Sequence, residues 1–151
     1  MNIVAGCDNA AISLKNDILA LLRESGVPIE DVGCFSPDET TNYPMIAKRV
    51  CEKVLSAGGE TRGMLFCGTG IGMCMTANKF RGIRAAVCHD VYSAQRSVLS
   101  NNGNVLCMGE RVIGHELAKV IVKEWISLSF NGGPSASKVA EIQAIEAKNY
   151  K

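Results

Sequence analysis

The sequence predicts an α/β protein in which a parallel sheet is covered by the helices that connect its strands. Short runs rich in β-forming residues alternate along the chain with segments whose apolar residues recur every three to four positions. This alternation is typical of parallel sheets with crossover helices. The chain has 151 residues, of which 47% are hydrophobic, enough for one compact domain and too few for two. We therefore expect residues 1–151 to form a single domain.

The first half of the chain is expected to hold two strand–helix pairs. A strand over 2–7 precedes an amphipathic helix that Gly26 ends, and a weaker strand, interrupted by two acidic residues, follows over 28–33. Pro44 can begin the next helix, because no backbone N–H is needed in a first turn, and Gly58 ends it. The apolar faces of these helices are expected at Leu14, Ile18, Leu21, Leu22, Ile46, Val50 and Val54.

The second half continues the same pattern. Three more strands are expected, over 63–67, 83–88 and 104–108. A glycine-rich turn after the first of them leads into a helix that reaches about residue 79. Asp90 can cap a helix over 91–99 by accepting a hydrogen bond from its first turn. A long amphipathic helix then carries Leu117, Val120, Ile121 and Trp125.

A last helix is predicted after the Gly-Gly-Pro break at residues 132–134. Ser135 could cap it, and we expect Val139, Ile142 and Ile145 to face inward. A helix added after a finished domain often packs on a partner subunit, which favours a dimer.

Composition argues against two broad classes of function. Lysine and arginine total 16 against 15 acidic residues, and a net charge of +1 provides no broad field for nucleic acid or an anionic membrane. The seven cysteines are an odd number and most lie in apolar runs, which favours reduced thiols over a disulfide framework. No export signal begins the chain, and no apolar run approaches the ~18 residues that span a bilayer. We expect a soluble cytoplasmic protein.

The turn after the third strand is the richest candidate site. Ligands of open parallel sheets bind beyond the carboxyl ends of the strands, and Gly68, Gly70 and Gly72 remove side chains there, where a helix begins. Such a turn suits an anion or a developing oxyanion. A dinucleotide fingerprint would need glycine in place of Met73, and the lysine of a P-loop is missing. A tight turn whose glycines serve packing alone is the other open interpretation.

Cys67, the last residue of that strand, is the leading candidate for proton transfer. A thiol beside a helix N-terminus loses its proton more readily, which suits it to act as a base. We expect the other six cysteines to be small inert core residues, an interpretation that is also open for Cys67. No Cys-x-x-Cys pair occurs, and His89 and His115 fit no zinc spacing, so no metal site is predicted. His115 is expected to be a solvated surface group.

Five stretches resemble one family over nearly the whole chain. They are Cys-Gly-Thr-Gly-Ile-Gly at 67–72, Ala-Asn-Lys at 77–79, Gly-Ile-Arg-Ala at 82–85, Tyr-Ser-Ala at 92–94 and Gly-Glu-Arg-Val-Ile-Gly at 109–114. These are similar to the type B ribose-5-phosphate isomerases and galactose-6-phosphate isomerases. The resemblance implies a Rossmann-like three-layer α/β/α sandwich with a five-stranded parallel sheet and a C-terminal helix over about 136–149. It also implies cofactor-free aldose–ketose isomerisation of a sugar phosphate, in a homodimer or dimer of dimers with sites at the subunit interface.

The resemblance assigns roles around the glycine turn. Cys67 would be the base that moves a proton between adjacent carbons through a cis-enediolate, and Thr69 would help to move a hydroxyl proton. Asp8 and Tyr43 match positions that hold sugar hydroxyls, although Asp8 could instead cap a helix and Tyr43 could simply pack. The enediolate oxygen would be stabilised by the backbone amides of the turn, at Gly68, Gly70, Ile71 and Gly72.

Several positions depart from the family pattern. Asn9 stands where the ribose enzymes have histidine, in the expected substrate site. Ser100 replaces the histidine that opens the furanose ring, and Asn101 matches a position near the reacting carbons, so both are candidate catalytic residues. The pattern Gly-Gly-Arg-His is Gly-Gly-Pro-Ser at residues 132–135, so one phosphate-binding arginine is missing.

Two cations are still expected to bind phosphate. Arg111 keeps its place in the family pattern, and Lys138 stands where a second arginine is common. Lysine is a point charge without a two-pronged fork, so the geometry should be looser.

These departures bear on the substrate. A tetrose 4-phosphate carries phosphate on the oxygen that closes the ring of ribose 5-phosphate, so its isomerisation needs no ring-opening histidine. The stretch 100–102 resembles a subgroup that acts on four-carbon sugar phosphates such as erythrulose 4-phosphate. The expected reaction is therefore isomerisation of ribose 5-phosphate or of a four-carbon analogue. The alternative is a non-catalytic protein of the same fold that binds a phosphorylated sugar.

Overall fold

A computed structural model describes residues 1–150, in which five strands alternate with α-helices. The strands are β1 (Asn2–Cys7), β2 (Ile29–Asp31), β3 (Thr61–Cys67), β4 (Ala85–Val87) and β5 (Val105–Gly109). The helices are α1 (Ile12–Glu24), α2 (Tyr43–Ala57), α3 (Ile71–Ala77), α4 (Val91–Leu99), α5 (His115–Ser127) and, after a 3₁₀ turn at Gly133–Ser135, α6 (Ala136–Asn149). Within this range, no helix has the length and apolar content that crossing a membrane requires.

All the strand pairs are parallel, in the order β2-β1-β3-β5-β4. β1 lies beside β3, with Cys7 opposite Phe66, and β5 lies on the other side of β3, with Cys67 opposite Gly109. The chain moves outward from β1 to β2 and then crosses back to β3. The winding direction therefore reverses between β1 and β3.

Helices cover both faces of the sheet. One apolar cluster joins the sheet to α1, α4 and α5, and a second joins it to α2 and α3. Successive residues of β3 alternate between them: Met64 and Phe66 belong to the first cluster, Leu65 and Cys67 to the second. Burial on both faces explains why the central strands β1, β3 and β5 are mostly apolar. The expected three-layer α/β/α sandwich is confirmed.

The structure shortens two of the predicted strands. The strand predicted over 28–33 is Ile29–Asp31, and the one predicted over 83–88 is Ala85–Val87. Both lie at the edges of the sheet and pair with a single neighbour, so fewer ladder hydrogen bonds hold them. Asp90 does cap α4, because its Oδ1 accepts a hydrogen bond from the Ser93 amide at 2.6 Å.

The prediction for the last helix was partly wrong. The Ser135 side chain makes no capping hydrogen bond. Val139 is buried, whereas Ile142 and Ile145 are 44% and 62% exposed instead of facing inward. The physical reason is that α6 follows the last strand and stands outside both helical layers, so most of its apolar face meets no other part of the chain described here.

Candidate active site

The candidate active site lies at the carboxyl edge of the sheet, where β1 and β3 are neighbours. A reversal of winding between two strands leaves a crevice at this edge, where ligands of open α/β sheets bind. A cleft of about 400 Å³ opens there. It is lined by Asp8, Tyr43, Cys67, Gly68, Thr69, Ile71, Gly72, Met75 and Arg111. Eight of these nine residues are among those the sequence singled out, and Met75 is the addition.

Cys67 ends β3 and places its sulfur at the wall of this cleft. The residue is 5% exposed, so the thiol meets the cleft while the rest of it packs in the core. The backbone N–H of Gly70 donates a hydrogen bond to Cys67 Sγ at 3.1 Å. A donor directed at sulfur stabilises negative charge on it. The turn therefore holds the sulfur at the cleft with a backbone donor directed at it.

Two glycines of the site are fixed by close backbone packing. Gly70 has a left-handed backbone with a φ of 78°, and a Cβ there would lie 2.9 Å from the carbonyl carbon of Met108. A Cβ on Gly109 would lie 2.6 Å from the Thr69 backbone. These glycines thus serve packing, and the same packing directs the Gly70 amide at Cys67. The packing and oxyanion interpretations of the turn are compatible.

Two amides of the turn are already engaged. The Gly70 amide bonds to Cys67 Sγ, and the Ile71 amide donates to Thr69 Oγ1 at 3.3 Å. The Gly70 and Ile71 amides, which are predicted to face a substrate oxygen, thus already have partners within the turn. The Ile71 and Met75 side chains are 54% and 65% exposed and give the cleft an apolar rim. A methionine one helical turn after Ile71 carries no sequence signal that separates it from a core residue.

Tyr43 and Asp8 face the cleft from neighbouring elements. Tyr43 begins α2, and a Cβ on Gly72 would lie 2.6 Å from its ring, so glycine at 72 makes room for the tyrosine. Asp8 follows β1 directly. Its Oδ1 accepts a hydrogen bond from the Ala10 amide at 3.0 Å, so it organises the turn before α1 while lining the cleft. Asn9 is exposed beside it, and its amide donates to the Pro37 carbonyl at 3.4 Å.

Arg111 brings positive charge to the cleft. Its amide donates to the Gly68 carbonyl at 3.0 Å, and its Nη1 passes 3.3 Å from where a Cβ on Gly68 would be. The preceding amide, of Glu110, donates to the Cys67 carbonyl at 2.9 Å. The turn after β5 is therefore tied directly to the turn that carries the thiol.

Besides Asn9 and Gly70, which border the cleft without lining it, three candidate residues lie away from this cleft within the chain. Ser100 and Asn101 follow α4, which runs from the carboxyl edge of the sheet back toward the amino edge, about 13 Å over nine residues. The Asn101 amide donates to the Arg96 carbonyl at 3.0 Å, and Asn101 lines a different groove with Ile142 and Tyr150. Lys138 is an exposed residue of α6. In one copy of the chain, these residues and Cys67 are apart.

The two histidines have structural partners. His89 Nε2 accepts a hydrogen bond from the Gly109 amide at 2.9 Å, and burial lowers its pKa. The expectation of a solvated surface group at His115 was wrong, because its ring lies between Glu110 Oε1 at 2.9 Å and Asp17 Oδ2 at 2.7 Å. Hydrogen bonds to Glu110 and then to Asp17 raise the pKa of His115. Asp17 lies on α1, 98 positions before His115, so no sequence pattern could reveal this cluster.

The other cysteines follow the prediction with one exception. Cys7, Cys34, Cys51, Cys88 and Cys107 are buried, and burial raises the pKa of Cys51 to about 12. Cys74 is half-buried, so it is not the fully buried core residue that was expected, and a hydrogen bond with Cys107 lowers its pKa to about 7. Within residues 1–150, no three histidine, cysteine or acidic side chains are grouped to hold a metal ion.

Comparison with known proteins identifies relatives that match this chain over nearly its whole length. The D-erythrulose-4-phosphate isomerase 2 of Mycolicibacterium smegmatis is 50% identical over 149 residues, which cover 97% of each chain. The ribose-5-phosphate isomerase B of Escherichia coli is 48% identical over 147 residues, again 97% of each. The structure of Clostridium thermocellum ribose-5-phosphate isomerase B superposes with a TM-score of 0.93 at 40% identity and covers 99% of both chains.

A family model agrees with these relatives. The model described as Ribose/Galactose Isomerase matches residues 3–142, a span that runs from β1 into α6 and contains every residue that lines the cleft. The cleft, the sheet order and the relatives lead to one conclusion: the chain belongs to the ribose/galactose isomerase family.

Proposed function

We propose that the protein interconverts the aldose and ketose forms of a short sugar phosphate through a cis-enediolate. The observation that carries this proposal is the Cys67 sulfur at the wall of a cleft, with the Gly70 amide 3.1 Å away. Simple phosphate binding would not require a thiol at that point. Two relatives that share about half of their residues with this chain are named as isomerases of a four-carbon and a five-carbon sugar phosphate.

In this mechanism, Cys67 is the base and later the acid. The thiolate takes the proton from the carbon beside the carbonyl, the C–H electron pair becomes the double bond of the enediolate, and the carbonyl electrons move to oxygen. The proton then returns from sulfur to the neighbouring carbon. Thr69 Oγ1 moves the hydroxyl proton. Since the Gly70 and Ile71 amides are engaged, we assign the oxyanion to the amides of Gly68, Thr69 and Gly72, each contributing a few kcal/mol when well placed.

The substrate is held from two sides of the cleft. We assign the sugar hydroxyls to Asp8 and Tyr43, a choice supported by their position in the cleft lining beside Cys67. We assign the phosphate to Arg111, which brings a positive charge to the same cleft. Asn9 adds an exposed side-chain amide next to Asp8.

We further propose that a second copy of the chain completes the site. Ser100, Asn101 and Lys138 lie away from the cleft of their own chain. Apolar surface is exposed both at the rim of the cleft, on Ile71 and Met75, and on α6, and a symmetric homodimer would cover both. In such a dimer, or a dimer of dimers, Lys138 of the partner subunit joins Arg111 at the phosphate. The seven reduced cysteines suit a cytoplasmic enzyme.

The length of the sugar follows from Ser100. A serine cannot replace histidine in opening a furanose ring, and a tetrose 4-phosphate has no such ring to open. We therefore propose a four-carbon substrate such as erythrulose 4-phosphate, with ribose 5-phosphate as the second candidate.

The test is turnover of both sugar phosphates by the purified full-length protein, followed by the appearance of the opposite isomer. We expect measurable turnover of at least one and faster turnover of the four-carbon sugar. Strong turnover of ribose 5-phosphate with none of the tetroses would contradict the four-carbon proposal. Turnover of neither would contradict the isomerase proposal as a whole.

A further inference from the structure

The Glu110 side chain connects three parts of the chain without lining the cleft. Its Oε2 accepts a hydrogen bond from the Leu14 amide at 2.7 Å, in the first turn of α1. Its Oε1 lies 2.9 Å from His115 Nε2, at the start of α5, and His115 Nδ1 lies 2.7 Å from Asp17 Oδ2. The side chain of Glu110 is 21% exposed. One carboxylate therefore ties the turn after β5 to two helices.

The main chain of the same turn holds the residues of the site. The Glu110 amide donates to the Cys67 carbonyl at 2.9 Å, and the Arg111 amide donates to the Gly68 carbonyl at 3.0 Å. Backbone hydrogen bonds thus connect Arg111 to the turn that carries the thiol. The side chain of the preceding residue, Glu110, connects it to α1 and α5.

The partners of Glu110 also keep its charge away from Arg111. A glutamate next to an arginine can neutralise it, but here Leu14 and His115 occupy both carboxylate oxygens. Within residues 1–150, no carboxylate lies within ion-pair distance of Arg111. The guanidinium is left available to an anion in the cleft.

We propose that Glu110 is a positioning residue that holds Arg111 at the cleft and thereby sets the affinity for the phosphate group of the substrate. Phosphate recognition by Arg111 is part of the proposed function, and this inference rests on it. Glu110 itself does not touch the substrate. Its effect on binding passes through the turn and Arg111.

The test is the dissociation constant of inorganic phosphate, measured by calorimetry on the full-length protein. Glu110→Ala should weaken phosphate binding about tenfold, because a displaced arginine loses its geometry. Glu110→Gln should recover most of the affinity, since the amide oxygen still accepts from Leu14. Loss of a negative charge alone would tighten binding of an anion, so weaker binding cannot be a charge effect. Glu116→Ala is the matched control, because Glu116 is an exposed carboxylate of α5 that pairs with Lys119 at 2.9 Å.

A double-mutant cycle separates positioning from general loss of structure. In an Arg111→Ala background, Glu110→Ala should have no further effect on phosphate binding, because the residue through which Glu110 acts is gone. If Glu110→Ala does not fold, as circular dichroism would show, Glu110→Gln takes its place in the cycle. It should then weaken binding by a smaller factor that again vanishes without Arg111.

Three results would overturn the inference: phosphate affinity in Glu110→Ala equal to that in Glu116→Ala, losses that add fully in the double variant, or no phosphate binding by the unaltered protein. Failure of the proposed function has a different signature. A protein that binds phosphate through Arg111 and Glu110 but turns over no sugar phosphate would support this inference and contradict the isomerase. An active isomerase whose phosphate affinity is unchanged by Glu110→Ala would support the proposed function and contradict this inference.

Discussion

At Cys67, the sulfur lies at the wall of the cleft and accepts a hydrogen bond from the Gly70 amide, and the proposed proton transfer rests on this one atom. Replacing it with alanine removes the base and leaves the turn unchanged, because the Gly70 amide is held by backbone packing against Met108. We expect Cys67→Ala to lower kcat by at least about two orders of magnitude, as for loss of a general base. Steady-state kinetics on the preferred sugar phosphate, with circular dichroism to verify folding, measure this.

Cys51→Ala is the control for removal of a buried thiol. Cys51 lies in the same apolar cluster as Cys67 but does not line the cleft, so this variant should keep nearly full turnover. Unchanged turnover in Cys67→Ala would rule out the proposed mechanism. If the unaltered protein turns over no sugar phosphate but still binds one, the non-catalytic alternative is favoured.

The sequence could predict residues whose role is local, and it missed those whose role depends on packing. Cys67 and the glycine turn stand together in the chain, and a helix start beside a thiol is a recognisable pattern. The contact between Tyr43 and Gly72 joins residues 29 positions apart, and Glu110 meets Leu14 across 96 positions. A carboxylate between glycine and arginine gives no sign, in sequence alone, of which helix it will cap.

Among the elements, the junction of α1, α5 and the turn after β5 holds a histidine between two carboxylates, so we expect its stability to depend on pH. His115 lies between Asp17 of α1 and Glu110 of the turn, with Lys119 one helical turn further along α5 and paired with Glu116. Hydrogen bonds to the two carboxylates raise the pKa of His115 above its ordinary value of 6.5. The folded state therefore binds this proton more tightly than the unfolded state.

The sign of the effect on stability follows. The contribution of His115 is fully present below its unfolded pKa of 6.5 and is lost as the pH rises through the raised folded pKa. His115→Ala should therefore lower the unfolding temperature most near pH ~6 and least near pH ~9. Thermal unfolding of both proteins across this range measures the difference.

Lys119→Ala is the control for this prediction. Lys119 also sits on α5, and contact with Glu116 raises its pKa above 10.5, so it keeps its charge throughout the range. The stability difference between Lys119→Ala and the unaltered protein should be nearly constant with pH. A His115→Ala difference that grows with pH would have the wrong sign for this cluster.

Elements were predictable where periodicity and end signals agreed. α4 has an aspartate cap and a regular apolar stripe, and its predicted bounds match the structure. β4 was predicted too long because composition cannot show that an edge strand pairs over three residues. For α6, apolar spacing predicted a buried face, but spacing does not say whether the covering surface belongs to the same chain.

At the scale of the whole molecule, the sheet order decides where the cleft forms. The chain reverses its winding between β1 and β3, which brings Asp8 and Cys67 to one edge, with Arg111 beyond β5. The same topology sends α4 back to the opposite edge and so separates Asn101 from the thiol. The sequence could predict the alternation of strands and helices, but a list of elements does not contain their spatial order.

If the site is shared between subunits, two inactive variants can restore activity when they form a mixed dimer. A dimer of Cys67→Ala with a double variant, Asn101→Ala and Lys138→Ala, would contain one site with all its groups and one that lacks all three. Random pairing of equal amounts should then restore about a quarter of full activity, since half of the dimers are mixed and each has one intact site of two.

The measurement is turnover after the two inactive variants are unfolded and refolded together, compared with each refolded alone. If a second copy completes each site, activity should be recovered only in the mixture. The KM of the mixture should equal that of the unaltered enzyme, because the restored sites are complete. Refolded unaltered protein controls for losses in the procedure. A mixture no more active than the sum of its parts would place Asn101 and Lys138 outside the site, and would leave the single-chain cleft with Arg111 as its cation.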